Sequence, residues 1–368
     1  MSLQKRSAAA DILRCLAFFF VVSVHFLLHN GFYSQTVEGK RMFVMVMMRA
    51  LFIICVPLFI MLSGYLLRKK TLSRQYYTRI GKILLTYVLC SLVCMAYSMI
   101  FLHKPLTIGD IFLKLLNFTG AQYAWYIEMY LGLFLLIPFL NIVYNHLPSQ
   151  KWKAVLILSF VILTSLPSVL NVYNLTDPSW WALPSASKEY NKLVPAWWTG
   201  MYPITYYFIG CYISEYGLKL KTSWNALLVV VCTLVSGIYS YWRSHGSVFV
   251  SGVWCGYASL FNVVLTTLVF TLFINLNYDK FPPILTRFFQ NISGLCLGGY
   301  LISWVFDTIF YPMLLEKVPV VQQRVEYYFL IVPAVTILSL LASYVISKLQ
   351  WLLETFGALC ARRLGRTS

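Results

Sequence analysis

The stretch Asp11-Ile-Leu-Arg14-Cys-Leu-Ala-Phe-Phe-Phe-Val-Val-Ser-Val-His25 reads as an apolar helix that carries three ionisable side chains. At about 100° per residue, the eleven steps from Arg14 to His25 make three turns plus roughly 20°, so both lie on one face, about 16 Å apart. Asp11 stands one turn before Arg14 on that face. An acid, a guanidinium and an imidazole at membrane depth are costly unless they face protein or a water-filled cavity. The stripe therefore marks a candidate functional site.

Composition sets the class around it. The chain has 368 residues, 60% hydrophobic and 11% charged, with a mean hydropathy of +0.72. Soluble domains carry about 25% charged residues. An all-α polytopic membrane protein is expected, embedded in a lipid bilayer. The 17% aromatic content suits rings stationed at membrane–water interfaces. The net charge of +17 is explained by topology-setting Lys and Arg rather than by nucleic acid, for which no motif is present. Nine cysteines fall mostly within apolar runs and none forms Cys-x-x-Cys, which favours packing over a disulfide or zinc framework. The first apolar run lacks a small-residue cleavage site and reads as an uncleaved span.

Ten spans are expected, at 8–28, 42–67, 82–102, 124–145, 153–171, 200–216, 224–242, 251–275, 291–313 and 327–347. With a cytoplasmic N-terminus, eighteen Lys and Arg fall inside and nine outside, which supports both termini in the cytoplasm. The expected division is a membrane-embedded domain over 1–347 and a cytoplasmic tail over 348–368 with spaced Leu, Trp and Phe, which would suit a surface helix.

Two connections stand out. Residues 68–82 hold six positive charges and no acid, either as an orientation signal or as a binder of phosphates. The longest outer segment, 172–199, holds Trp180, Trp181, Trp197 and Trp198. Paired Trp faces suit interfacial anchoring and carbohydrate stacking alike. Residues 105–118 are too short to span and are expected at the outer interface.

The other ionisable residues inside spans are Arg49, Glu128 and Asp307. Arg49 and Asp307 suit ion pairs that fix helix register as well as they suit chemistry. His29 follows His25 by one turn, but no His-Glu-x-x-His pattern accompanies it and it abuts Asn30-Gly31, so no metal site is expected. There is no Gly-x-Ser-x-Gly elbow, phosphate-binding glycine loop or dinucleotide fingerprint.

The Asp-x-x-Arg-x10-His pattern resembles the acyltransferase-3 family of bacterial membrane acyltransferases. Further segments agree in order: Pro57 to Ser63-Gly64-Tyr65, Tyr76-Tyr77 with Arg79, Trp125-Tyr126 with Gly132 and Pro138, and Trp197-Trp198 through Tyr202-Pro203 to Tyr207-Phe208 and Gly210. One departure is Tyr300-Leu-Ile-Ser303, where the family often has histidine in place of the serine. The family's larger members append an outer hydrolase-like domain; here about twenty residues follow the last span, so transfer is expected within the membrane domain or through a separate protein.

The resemblance implies transfer of an acyl group, most simply acetyl, from acyl-CoA on the cytoplasmic side to a hydroxyl of a cell-surface polysaccharide or lipid-linked sugar. Arg79, Arg74, Lys69 and Lys70 would hold the CoA phosphates, with Ser63 on the donor path. Arg14, beside Asp11, would line the pantetheine arm or polarise the thioester carbonyl. His25 would be the general base or a transient acyl carrier, with Glu128 orienting it or binding the acceptor. Trp125, Tyr126, Trp197, Trp198 and Tyr300 would meet substrate. The competing reading is a transporter or flippase of a lipid-linked glycan, and a weaker one is a non-catalytic sensor.

Overall fold

The computed structural model describes residues 7–278 and 280–364. Of the basic residues counted above, Lys5, Arg6 and Arg366 lie outside the described residues, as do the side chains of Cys360, Arg362 and Arg363.

Fourteen α-helices make up the fold among the described residues. They are α1 (Ala8–His29), α2 (Gly39–Phe52), α3 (Cys55–Leu67), α4 (Arg74–Tyr77), α5 (Ile80–Phe101), α6 (Ile108–Leu116) and α7 (Trp125–Asn145). Then come α8 (Gln150–Thr164), α9 (Pro167–Leu170), α10 (Tyr202–Tyr216), α11 (Thr222–Ser244), α12 (Leu260–Ile274), α13 (Pro283–Lys317) and α14 (Tyr328–Leu364). No strand forms among the described residues beyond isolated bridges from Thr36 to Val248 and from Val37 to His245. The chain is thus a multi-pass helical membrane protein.

Among the described residues, eight segments are long and apolar enough to cross a membrane. The fifth and sixth expected spans are shorter. Helices α8 and α10 have 15 residues each and reach only about 22 Å, against about 30 Å of hydrocarbon. Two other elements also differ from the expected layout. The second span is broken at Ile53–Ile54 into α2 and α3. Pro57 explains the break, since it has no N–H to give the Ile53 carbonyl. In addition, α14 runs without interruption across the expected boundary at residue 347, so the tail continues the last helix through Leu364. Gln350 accepts from the Thr86 hydroxyl at 2.8 Å and Glu354 pairs with Lys82 at 3.4 Å, which ties this extension to the start of α5.

Helix α6 is amphipathic and buries none of its side chains in the protein. Its Ile108, Phe112, Leu113 and Leu116 are exposed to the surroundings, as an interfacial helix requires. A reciprocal Thr107–Asp110 capping box starts it.

Close backbone approach sets the packing of α3 on α10. A Cβ on Gly64 would lie 2.0 Å from the Tyr207 carbonyl oxygen, and one on Gly210 would lie 2.0 Å from that of Met61. Small residues let backbones meet where lipid offers no hydrophobic drive for helix association. The Gly64 and Gly210 motifs are therefore two halves of one helix crossing.

The loop 68–82 sits at one end of the bundle, beside the ends of α3 and α7, where Asn141 donates to the Leu67 and Lys70 carbonyls and Asn145 to that of Arg68. We call this the basic face. The opposite, aromatic face carries 172–199, the turn after α1 and the residues before α12.

Candidate active site

The end of α1 nearer the aromatic face builds a polar cluster with the turn before α7 and with α13. His25 and Asp307 are both buried, and His25 Nδ1 lies 3.6 Å from Asp307 Oδ2. The Tyr123 hydroxyl donates to the same Oδ2 at 2.7 Å. His29 Nε2 meets that hydroxyl at 2.6 Å, so the proton assignment that satisfies all three is His29 Nε2–H to Tyr123 and Tyr123 to Asp307. The Tyr123 ring covers His25 at a centroid distance of 3.8 Å. The Tyr300 hydroxyl in turn donates to the Tyr123 carbonyl.

The two His25 nitrogens stand in different surroundings. Nδ1 is sealed from solvent and has only the Asp307 carboxylate before it. At 3.6 Å the contact is longer than a hydrogen bond, but within the range that tightens when a substrate binds. A proton on Nδ1 facing the carboxylate leaves Nε2 with a free lone pair, which is the tautomer that accepts a proton.

At the other end of α1, Arg14 is clamped rather than free. Its Nη1 lies 3.4 Å from Asp11 Oδ1 and 3.4 Å from Ser293 Oγ, and Ser293 donates to Asp11 at 2.5 Å. Helix spacing places Asp11 and Arg14 on one face; Ser293, from α13, is invisible in the spacing.

Between these two ends lies a cavity of about 430 Å³. Arg14, Ser63, Tyr126, Tyr130, Ser293 and Tyr300 supply its polar atoms, and Val21, Val56, Phe59, Leu62 and Leu297 are among its apolar walls. Leu66, Leu67 and Ile83 frame one mouth, and they flank the basic loop 68–82. At the other end Tyr126, Val21 and Tyr300 close it, one helical turn short of His25 on α1, or about 6 Å. The cavity is mostly apolar with a few polar groups toward each end, the usual make-up of a small-molecule site.

The remaining sequence candidates divide sharply. Arg74, Arg79 and Lys69 are exposed on the basic face, and Lys70 is half-buried there; none lines the cavity. Arg68 pairs instead with Glu215 on α10 at 3.5 Å, which the buried Lys153 also meets at 2.9 Å. Trp125, Trp197 and Trp198 are exposed on the aromatic face, whereas Trp180 is buried against Arg243. Ser303 is buried and back-bonded to the Tyr300 carbonyl at 2.9 Å, one turn before Asp307 on α13.

The expected role of Glu128 in orienting His25 is corrected, and the open reading of Arg49 is narrowed. The carboxylate beside His25 is Asp307, since Glu128 is exposed on the other side of α7. Tyr126 and Ile127 turn inward there, so Trp125 and Glu128 face out. Arg49 makes no ion pair among the described residues: Nε donates to the Tyr33 hydroxyl at 2.9 Å and Nη1 to the Cys255 carbonyl at 3.3 Å. Tyr123 and Tyr311 carry no sequence signal. His29, which fits no metal pattern, belongs to the cluster through Tyr123, and Tyr311 lies under its ring at 5.2 Å.

Residues 7–348 match the family model of the acyltransferase-3 acyltransferase domain. No curated protein and no solved structure matches the chain. The match takes in every element from α1 to the greater part of the membrane length of α14, and with it both the His25–Asp307 cluster and the Arg14 cavity. By that coverage the chain belongs to the acyltransferase-3 family of membrane acyltransferases.

Proposed function

We propose that the protein is a membrane O-acyltransferase that takes an acyl group, most simply acetyl, from acyl-CoA at the basic face and delivers it to a hydroxyl of a cell-surface polysaccharide or lipid-linked sugar at the aromatic face. The basic face is read as cytoplasmic, in a bacterial cell membrane. The observation that carries the reading is the cavity whose lining runs from Leu66 and Leu67, next to loop 68–82, to Val21, one helical turn from His25.

Arg79, Arg74, Lys69 and Lys70 hold the CoA phosphates outside the cavity, where exposed cations bind phosphate without a desolvation cost. The pantetheine arm enters past Ser63 and Arg14. The distance along α1 favours one of two roles for Arg14. About 16 Å of helix separates it from His25, so in this reading Arg14 grips the arm and His25 works at the carbonyl. Tyr126 and Tyr300 form the passage to His25.

At His25 the acceptor hydroxyl gives its proton to Nε2 as its oxygen attacks the thioester carbonyl. The new C–O bond forms, the C–S bond breaks, and the proton passes on to the departing thiolate. Asp307 stabilises the transient imidazolium, and Tyr123 with His29 fixes the carboxylate. The exposed Trp125, Trp197 and Trp198 face the acceptor.

The test compares wild type with His25→Ala, purified in nanodiscs, by release of CoA thiol from acetyl-CoA, and in cells by mass spectrometry of surface polymers. Loss of both thiol release and the acyl increment is expected. An unaltered rate in His25→Ala, or polymer that is lost rather than unmodified in the deletion strain, overturns the reading.

A further inference from the structure

Three buried arginines lie toward the aromatic face, and they are used differently. Arg324 engages each of its three nitrogens with a carbonyl, those of Val318, Asn30 and Pro319, at 2.7, 2.7 and 3.0 Å. Arg243 donates to the Val172 carbonyl at 2.5 Å and to the Tyr190 hydroxyl at 2.7 Å, boxed by Trp180, Tyr190 and Trp254. Both hold loops in place, and the Nε that Arg243 leaves without a hydrogen-bond partner among the described residues is sealed from solvent. Arg49 differs. Its Nε and Nη1 bonds leave Nη2 with no hydrogen-bond partner among the described residues, and that atom is not among the sealed orphans.

The charge of Arg49 is also uncompensated. No carboxylate pairs with it among the described residues. What neutralises it is dipolar: the Tyr33 oxygen, the Cys255 carbonyl, the Phe249 ring at 4.6 Å and the C-terminal turn of α2. Burial of a guanidinium on such terms is expensive, and an anion arriving at Nη2 would relieve it.

Its position ties it to the site. Tyr33 follows His29 by one turn of chain, beyond the end of α1. Tyr257 stacks on Trp125 and on Tyr202, at 5.6 and 6.1 Å, and stands two residues after Cys255, whose carbonyl accepts from Arg49. A series of ring contacts thus runs from Tyr300 and Tyr126, at the end of the cavity, through Trp125 to Tyr257, near the segment that holds Arg49.

We propose that Arg49 is an anion subsite on the acceptor side, so that the acceptor carries a phosphate or carboxylate group beside the hydroxyl that is acylated. The proposal rests on the acyltransferase reading only for the word acceptor; the anion site itself is testable by binding alone. Tyr33 and Cys255 fix the guanidinium plane and Nη2 provides the contact. Neutral sugars would use the exposed tryptophans and gain nothing from Arg49.

The experiment uses the full chain in phosphatidylcholine nanodiscs and follows binding of sn-glycerol 1-phosphate, methyl glucuronoside and methyl glucoside by saturation-transfer NMR. Wild type is expected to bind the two anionic probes more tightly than methyl glucoside. Arg49→Lys, which keeps the charge and loses the fork, should weaken them by at least about tenfold, and Arg49→Gln should abolish binding. Should Arg49→Gln not fold, Tyr33→Phe, which releases Nε alone, is expected to weaken the anions severalfold at an unchanged melting temperature. Equal anion binding by wild type and the Arg49 variants overturns the proposal, as does equal affinity of wild type for charged and neutral probes. Displacement of both probes by phosphatidylglycerol in the disc would make the occupant a lipid headgroup and overturn the assignment to an acceptor. Intact anion binding without acyl transfer would refute the enzymatic reading and leave the subsite standing.

Discussion

Replacement of Asp307 by asparagine tests the site most directly, because it removes one charge and little volume. The amide would keep an oxygen to accept from Tyr123, so the change isolates the electrostatic role of the carboxylate toward His25. At 3.6 Å and an effective dielectric near 20, a full imidazolium–carboxylate pair is worth roughly 4–5 kcal/mol. Each 1.4 kcal/mol is a factor of about ten in rate, so complete loss of the pair corresponds to about a thousandfold. The proton is only partly transferred at the transition state, and the amide dipole recovers some of the loss. The expected fall in kcat is therefore on the order of 10²–10³, within the range of a general base. Initial rates of CoA thiol release in nanodiscs, at several acyl-CoA concentrations, give kcat and KM separately. KM for acyl-CoA should not move, since Asp307 lies beyond the donor cavity. A variant with wild-type melting that retains more than a third of kcat would refute the role of Asp307 as the partner of His25.

Ser63→Leu places a branched side chain into the donor cavity, and KM for acyl-CoA is expected to rise on the order of tenfold while the protein melts normally; an unchanged KM would show that the donor does not pass there. Gly64→Ala forces a methyl group against the Tyr207 carbonyl oxygen at 2.0 Å, so α3 and α10 must part, at a cost of about 1–3 kcal/mol; intrinsic-fluorescence melting should fall by several degrees. Arg243→Met removes the cation from between three aromatic rings and both of its hydrogen bonds. Hydrogen exchange across 172–199 should then quicken while that of α13 stays as it was.

The sequence carried the membrane class, most helix positions and the Asp11–Arg14–His25 stripe, because each depends on hydropathy or on spacing along one helix. The partners of that stripe depend on how other helices are rotated. In α7 the residues Trp125, Tyr126, Ile127, Glu128 and Met129 stand in an apolar run on all sides, which fixes no inward face. Glu128 is therefore as good a candidate as any by sequence, and the structure turns it outward while Asp307 of α13 turns in. Ser293 and Tyr123 are invisible for the same reason, since each matters through a contact with α1 from more than ninety positions away. The absence of a metal pattern says nothing about the actual partner of His29, which is a tyrosine hydroxyl. Arg49 differs in another way: a buried arginine implies a carboxylate partner by default, and only coordinates show two oxygen partners and an aromatic face in its place.

The unbroken course of α14 has a practical side. Its 37 residues make a rod of about 56 Å, nearly twice the hydrocarbon thickness, so about 25 Å of it stands clear on the basic face. Gln350 and Glu354 brace the emerging turns against Thr86 and Lys82. A folded fiducial joined in helical phase to that rod would inherit the orientation of the membrane body. Particles too small and featureless to align in electron micrographs would then have a handle, and the passage from Arg14 to His25 could be viewed with donor and acceptor in place.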